Sequence, residues 1–310
     1  MSSSDNTSND FNALSAIAAL SLCIMFGSNA IAIKISFSGF GVYFMSCIRF
    51  LIASLCLILW AFVTKQNLRV GKDRWLQLGI ISISFSLQLL LFYTGLSMTT
   101  ASRSALITNL QPFFVLFLAH FFIPGDNITL KKLMGIVLGF SGIALVFTDR
   151  AGVTESFRSG DIFVLCGAAL WGCNAVYTKR VIKNFDAIQI ALYPMIVSIP
   201  ISMIGSYFFD DQLVYFVDAT MVASIAYQSF FVAAFGYVAW NTLLKRYGAV
   251  SLHSFVFIMP ITGVILGGLV LGEPLTGRLI AGLVFIVSGL LTIHIKQKSY
   301  PPVFPLGRNV

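Results

Sequence analysis

Apolar residues run through this chain in long blocks separated by short polar connections. Ten blocks can be drawn, over 13–35, 41–63, 75–97, 102–122, 132–148, 160–182, 187–209, 217–243, 249–271 and 276–295. A helix needs roughly 20 apolar residues to cross about 30 Å of hydrocarbon. The connections are too short to hold a soluble domain. The pattern predicts an all-α integral membrane protein of ten transmembrane helices.

Composition agrees. Hydrophobic residues make up 57% and charged residues 10%, with a mean hydropathy of +0.88, against about 45–50% and about 25% in soluble domains. So few polar groups cannot cover a water-exposed surface. The polar tail at 1–12 carries Asp5 and Asp10 and lacks the basic flank and cleavage site of a secretory signal, so the first block is read as retained. Residues 296–310 are read as a cytoplasmic tail, which after Lys298, with Pro301, Pro302 and Pro305, reads as a disordered end.

A net charge of +8 raises nucleic acid as a partner, but the placement of the charge argues for a topogenic role. Of the 20 Lys and Arg residues, 14 fall on the side of the N-terminus, among them Lys65, Arg69, Lys72, Arg74, Lys179, Arg180 and Lys183. Lys34, Arg103, Arg150, Arg158 and Arg278 fall opposite, and Arg49 lies inside a helix. Both termini are expected in the cytoplasm, with the plasma membrane as the location and no nucleic-acid partner.

The chain also repeats itself. FGSNAIAIK at 26–34 recurs as WGCNAVYTK at 171–179, Ala101 to Pro112 matches Ala249 to Pro260, and GDNIT at 125–129 matches GEPLT at 272–276. Each repeat holds five helices, an odd number, so equivalent residues must emerge on opposite sides of the membrane: Asp126 inside, Glu273 outside. Two inverted five-helix repeats place a binding site near the midplane and allow inward-open and outward-open arrangements to exchange. The expected boundaries are 13–148 for the first repeat, 149–159 for an extracytoplasmic connection and 160–295 for the second.

These features resemble the drug/metabolite transporter superfamily, specifically its ten-helix EamA-type members. The likeness rests on the WGxN-like start of each repeat, on Arg49-Phe50, on Pro112 and Pro260, and on GEPLT. The resemblance implies a cavity formed by helices 1 to 4 and 6 to 9, with helices 5 and 10 as outer supports, and export of amino acids or related metabolites. The first repeat departs from the family pattern at Phe26 and at Asp126-Asn127.

Candidate substrate contacts follow from polar groups inside the apolar blocks. Arg49 is a charge within a helix, a functional candidate because its burial in lipid is costly. With Lys34 it could hold a carboxylate or phosphate; alternatively Lys34 snorkels and Arg49 ties off helix-end carbonyls. Asn29 and Asn174 suit either substrate contact or interhelical hydrogen bonds. Thr108, Asn109 and Gln111 cluster before Pro112. Gln88 and Tyr93 on helix 3, with Tyr237 and Trp240 on helix 8, offer polar handles and flat surfaces. Lys34, Pro112 and Pro260 are gating candidates, the prolines as hinges or as sources of curvature.

Absent chemistry narrows the classes. The five cysteines and three histidines are scattered, so neither a metal site nor a cofactor is expected. All 12 acidic residues fall in tails, loops or helix ends, which disfavours proton coupling and leaves His253 as the titratable alternative. No Walker-type loop suggests use of ATP. A membrane-embedded lipid-modifying enzyme would need paired acids or an activated nucleophile, and a channel a repeated filter. The expected partners are a bilayer and a small metabolite, first an amino acid, then a drug, nucleobase or vitamin.

Overall fold

The computed structural model describes residues 13–123, 128–149, 155–240, 242–243 and 255–294. Both tails, Asp126, His253, Lys245 and Arg246 lie outside them. Within them the chain is helical: α1 (Ala13–Gly27 and Asn29–Ser36), α2 (Val42–Val63), α3 (Trp75–Met98), α4 (Ala101–Thr108 and Gln111–Phe122), α5 (Leu130–Thr148), α6 (Glu155–Val181), α7 (Ala187–Phe209), α8 (Ala219–Ala226, continued as a π-helix over Tyr227–Gly236), α9 (Ile258–Leu271) and α10 (Gly277–His294). Among the described residues, eight spans are long and apolar enough to cross a membrane, while α9 and α10 are shorter apolar helices. Only 28% to 50% of each spanning window is buried, so apolar side chains such as Leu59 and Phe208 point outward, as a lipid solvent requires.

Three helices are interrupted within the blocks drawn from the sequence, two of them at the prolines marked as candidate hinges. Pro112 has no N–H, and its ring would collide with the carbonyl four residues back. The helix therefore stops at Thr108 and restarts at Gln111, with Pro112 in the new first turn. Asn109 bridges the gap by donating its side-chain Nδ2 to the Ala105 carbonyl, at 2.7 Å. In α9, Pro260 likewise stands in the first turn, after a turn at Phe255–Phe257. Helix α1 is interrupted at Ser28, where the Met25 carbonyl accepts from the Ser28 hydroxyl at 2.9 Å and from the Tyr227 hydroxyl at 3.1 Å.

Helices from the two halves interleave in two apolar cores. One gathers residues of α1, α2, α3, α7 and α8; the other gathers α4, α5, α6, α9 and α10. The α2–α7 seam is antiparallel. At one end Asp210 accepts from the Tyr43 and Phe44 amides, and at the other Gln189 donates to the Asn67 and Arg69 carbonyls. Between these ends Ser46 meets Ser202 at 3.0 Å, and on the α3 side Ser86 meets Ser198 at 2.8 Å. Hydroxyls and small residues are the usual adhesive where no water drives helices together.

The α5–α10 pair is antiparallel as well. A Cβ on Gly135 would meet the Gly289 carbonyl at 2.9 Å, and one on Gly142 would meet the Gly282 carbonyl at 2.8 Å. The α4–α9 pair runs the same way, with Gly263 against Ala105 and Gly267 against Ser102. Further contacts come in matched sets: α3 packs on α6 as α8 packs on α1, α4 on α6 as α9 on α1, and α3 on α7 as α8 on α2.

Candidate functional site

Arg49 stands two turns into α2 and is 6% exposed. Its Nη1 donates to the Tyr93 hydroxyl on α3 at 3.2 Å. Tyr93 is fully buried, with Phe37 edge-on to its ring and Phe92 tilted against it. The Arg49 Nε has no hydrogen-bond partner, and among the described residues the salt bridges are Arg74–Asp73 and Arg103–Asp161, so no carboxylate neutralises this guanidinium. A buried cation without a counter-charge is held at a cost of several kcal/mol unless an anion or solvent joins it. The arrangement suits a carboxylate or phosphate that comes and goes.

Four of the other candidates carry buried polar atoms without hydrogen-bond partners. Both amide atoms of Gln88 are unpaired, as are Asn29 Oδ1, Thr108 Oγ1 and Asn174 Oδ1. Buried polar atoms are ordinarily satisfied, so these stand out as groups available to something other than the chain. Asn29 opens the second segment of α1 and Thr108 closes the first segment of α4. The interruptions in α1, α4 and α9 are neighbours: a Cβ on Gly27 would meet the Met259 carbonyl at 2.6 Å, and Gly263 faces Ala105 and the Gly27 carbonyl. Gln111 is half-buried at the restart of α4. Tyr237 and Trp240 are half-buried on α8, with Trp240 edge-on to Phe26 at 5.8 Å between ring centres. Arg49 and Tyr93 are the predicted residues joined by a direct bond; Asn174, Tyr237 and Trp240 come from the other half.

Several charged residues and cysteines have settings that the sequence left open. Lys34 does not join Arg49. Its ammonium donates to the Leu96 and Thr99 carbonyls at 2.7 and 2.6 Å, closing the C-terminal end of α3. Helix ends leave such carbonyls without intrahelical partners and carry partial negative charge. Arg103, counted among the charges of the opposite side, is 4% exposed and forms a bidentate ion pair with Asp161, which is fully buried and also accepts from the Thr99 hydroxyl at 2.7 Å. Asp161, near the start of α6, is therefore a buried carboxylate. Of the cysteines, Cys23 and Cys47 are buried, whereas Cys166 and Cys173 are exposed.

Three residues take roles that the sequence did not assign them. Glu273 accepts from the Ala101 and Ser102 amides at 2.6 and 2.8 Å and from the Ser102 hydroxyl at 2.5 Å, capping the first turn of α4. Gln228, buried on the π-helix, donates to the Ala32 carbonyl and the Ser36 hydroxyl of α1. Asp161 was legible in principle, because it shares a helical face with the buried Val164 and Ala168.

Comparison with known proteins places this architecture. A solved crystal structure matches with a TM-score of 0.67 at 14% identity, covering 89% of this chain and 95% of that one, which establishes the likeness of fold. An uncharacterized transporter of Bacillus subtilis, YyaM, is 30% identical over 78% of this chain and 80% of its own length. A probable amino-acid metabolite efflux pump of Escherichia coli is 27% identical over 88% of this chain and 92% of its own. The profile of the EamA-like transporter family matches twice, over residues 13–148 and 158–295, which suggests two similar halves. With eight apolar helices of membrane-spanning length among the described residues and that double match, this multi-pass membrane protein belongs to the EamA-like transporter family of the drug/metabolite transporter superfamily.

Proposed function

We propose that the protein is an alternating-access carrier of the plasma membrane that exports a small carboxylate-bearing metabolite, an amino acid being the first choice. The observation that carries the substrate class is Arg49: a buried guanidinium, bonded to Tyr93, with no carboxylate beside it among the described residues. The substrate's carboxylate supplies the missing charge. Gln88, Asn29, Thr108, Asn109, Gln111, Asn174, Tyr237 and Trp240 contribute the remaining surface of the site. A relative named as a probable amino-acid metabolite efflux pump supports the direction and the substrate class. Drugs, nucleobases and vitamins are the next candidates.

The carrier consists of ten transmembrane helices in two inverted halves, 13–148 and 160–295. The antiparallel α2–α7, α4–α9 and α5–α10 pairs and the matched contacts between the other helices support this reading, because each pair joins equivalent members of the repeats. Excess Lys and Arg beside the α2–α3 and α6–α7 connections support cytoplasmic termini. Transport proceeds by facilitated diffusion or exchange, since the buried carboxylate Asp161 is committed to Arg103.

Counterflow in proteoliposomes tests the proposal. Preloading with an unlabelled amino acid accelerates uptake of the labelled one, and Arg49→Ala abolishes this for carboxylate substrates. Full affinity for anionic substrates in that variant overturns the role of Arg49. Equal uptake with and without preloading overturns the carrier.

A further inference from the structure

We propose that the α3–α4 turn is the gate at its end of the bundle, with Glu273 as its releasable latch and the Arg103–Asp161 pair as its fixed pivot. This rests on the alternating-access reading above. Residues 99–103 of the first half are gripped from the second half at two points. On the α6 side, Asp161 takes the Arg103 guanidinium in a bidentate pair and the Thr99 hydroxyl at 2.7 Å, with both charged side chains at most 5% exposed. On the α9 side, Glu273 holds the Ala101 and Ser102 amides and the Ser102 hydroxyl. Lys34, from the same half as the turn, ties off the Leu96 and Thr99 carbonyls and so keeps the turn's shape whichever grip is released.

The two grips differ in what their release leaves behind. Separating Arg103 from Asp161 strands two buried charges, the costliest outcome for an ion pair. Separating Glu273 from α4 exposes a carboxylate and two first-turn amides at a part-buried helix end, where water replaces the lost bonds. The backbone is shaped for the motion. Gly272, in the left-handed conformation at φ 67°, ends α9 immediately before Glu273, so this carboxylate rides on a helix terminus rather than inside one. Gly267 lets α9 lie directly against Ser102, an apposition that parts without disengaging side chains. Opening therefore moves α9 away from α4 while α4 stays on α6.

The experiment uses the full chain with its five native cysteines replaced by serine or alanine. Ser102→Cys places a near-isosteric thiol at the latch, where the native residue is 1% exposed. Adding Glu273→Gln is expected to raise its rate of modification by a membrane-impermeant maleimide about fivefold, the factor for a loss of roughly 1 kcal/mol from the closed state. Equal rates overturn the latch. Two disulfides then separate latch from pivot. Oxidised Ser102→Cys/Gly267→Cys is expected to stop counterflow, with recovery on reduction, whereas oxidised Met98→Cys/Gly160→Cys, across α3 and α6, leaves it running. The same outcome for both pairs overturns the assignment of pivot and latch. Labelling reads the gate whether or not a substrate is in hand, so a counterflow failure of the cysteine-free parent counts against the transport proposal alone.

Discussion

Two clusters of buried and half-buried charge lie within this bundle, and they are built on opposite principles. Around the α3–α4 turn every charged group is met: Arg103 by Asp161, Lys34 by helix-end carbonyls, Glu273 by helix-start amides. Around Arg49 the guanidinium has one neutral hydroxyl and the face of the Phe50 ring, and elsewhere on α3 the Gln88 amide has no hydrogen-bond partner. The first cluster is satisfied by the protein itself and joins its two halves. The second is incomplete without a ligand. In a solvent that offers no compensating water, closed networks hold structure, and open ones mark where something else binds.

The contrast is sharpened by removing charge from each cluster in turn. Asp161→Asn should have the largest effect, lowering stability in detergent by about 3–5 kcal/mol because Arg103 is left buried and unpaired. Thermal melting checks this, and Arg103→Met in the same chain should recover most of the loss. Arg49→Met should behave in the opposite way. Affinity for a carboxylate substrate, read by binding or counterflow, should fall by roughly 10- to 100-fold, the range for a bond to a charged group. Its melting temperature should not fall, since no protein anion loses a partner. If Arg49→Met melts as low as Asp161→Asn, the two clusters are not different in kind.

Smaller effects test the supporting groups. Tyr93→Phe removes the one hydroxyl that Arg49 meets and should weaken substrate binding by roughly fivefold, about 1 kcal/mol, with little change in melting. Lys34→Met leaves the Leu96 and Thr99 carbonyls without their cation and should destabilise by about 0.3–1 kcal/mol, the scale of a charge at a helix terminus. A drop in substrate affinity with Lys34→Met as large as that for Arg49→Met would restore Lys34 to the binding site.

Much of this was legible along the chain. Long apolar blocks foretell helices because lipid leaves the backbone no other way to satisfy itself, and Pro112 foretold the break in α4. Arg49 stood out because a charge deep in an apolar block has few explanations. What misled was distance from the block's edge. Lys34, Arg103 and Asp161 sit near helix ends, where sequence alone reads a charge as facing water. The fold instead packs three other elements around that corner and buries two of them. Glu273 carried no signal of its partner, since it caps a helix that begins more than 170 residues earlier.

The sequence by itself determined the membrane class, the helical blocks and the internal repeat, because hydropathy and chain length act locally and the bilayer imposes one solution on each segment. Which charges are neutralised, which amides are left open and which turn is gripped from two sides were decided only by the tertiary structure. Those outcomes depend on side chains that meet across helices far apart in the chain, and no local pattern encodes the partner.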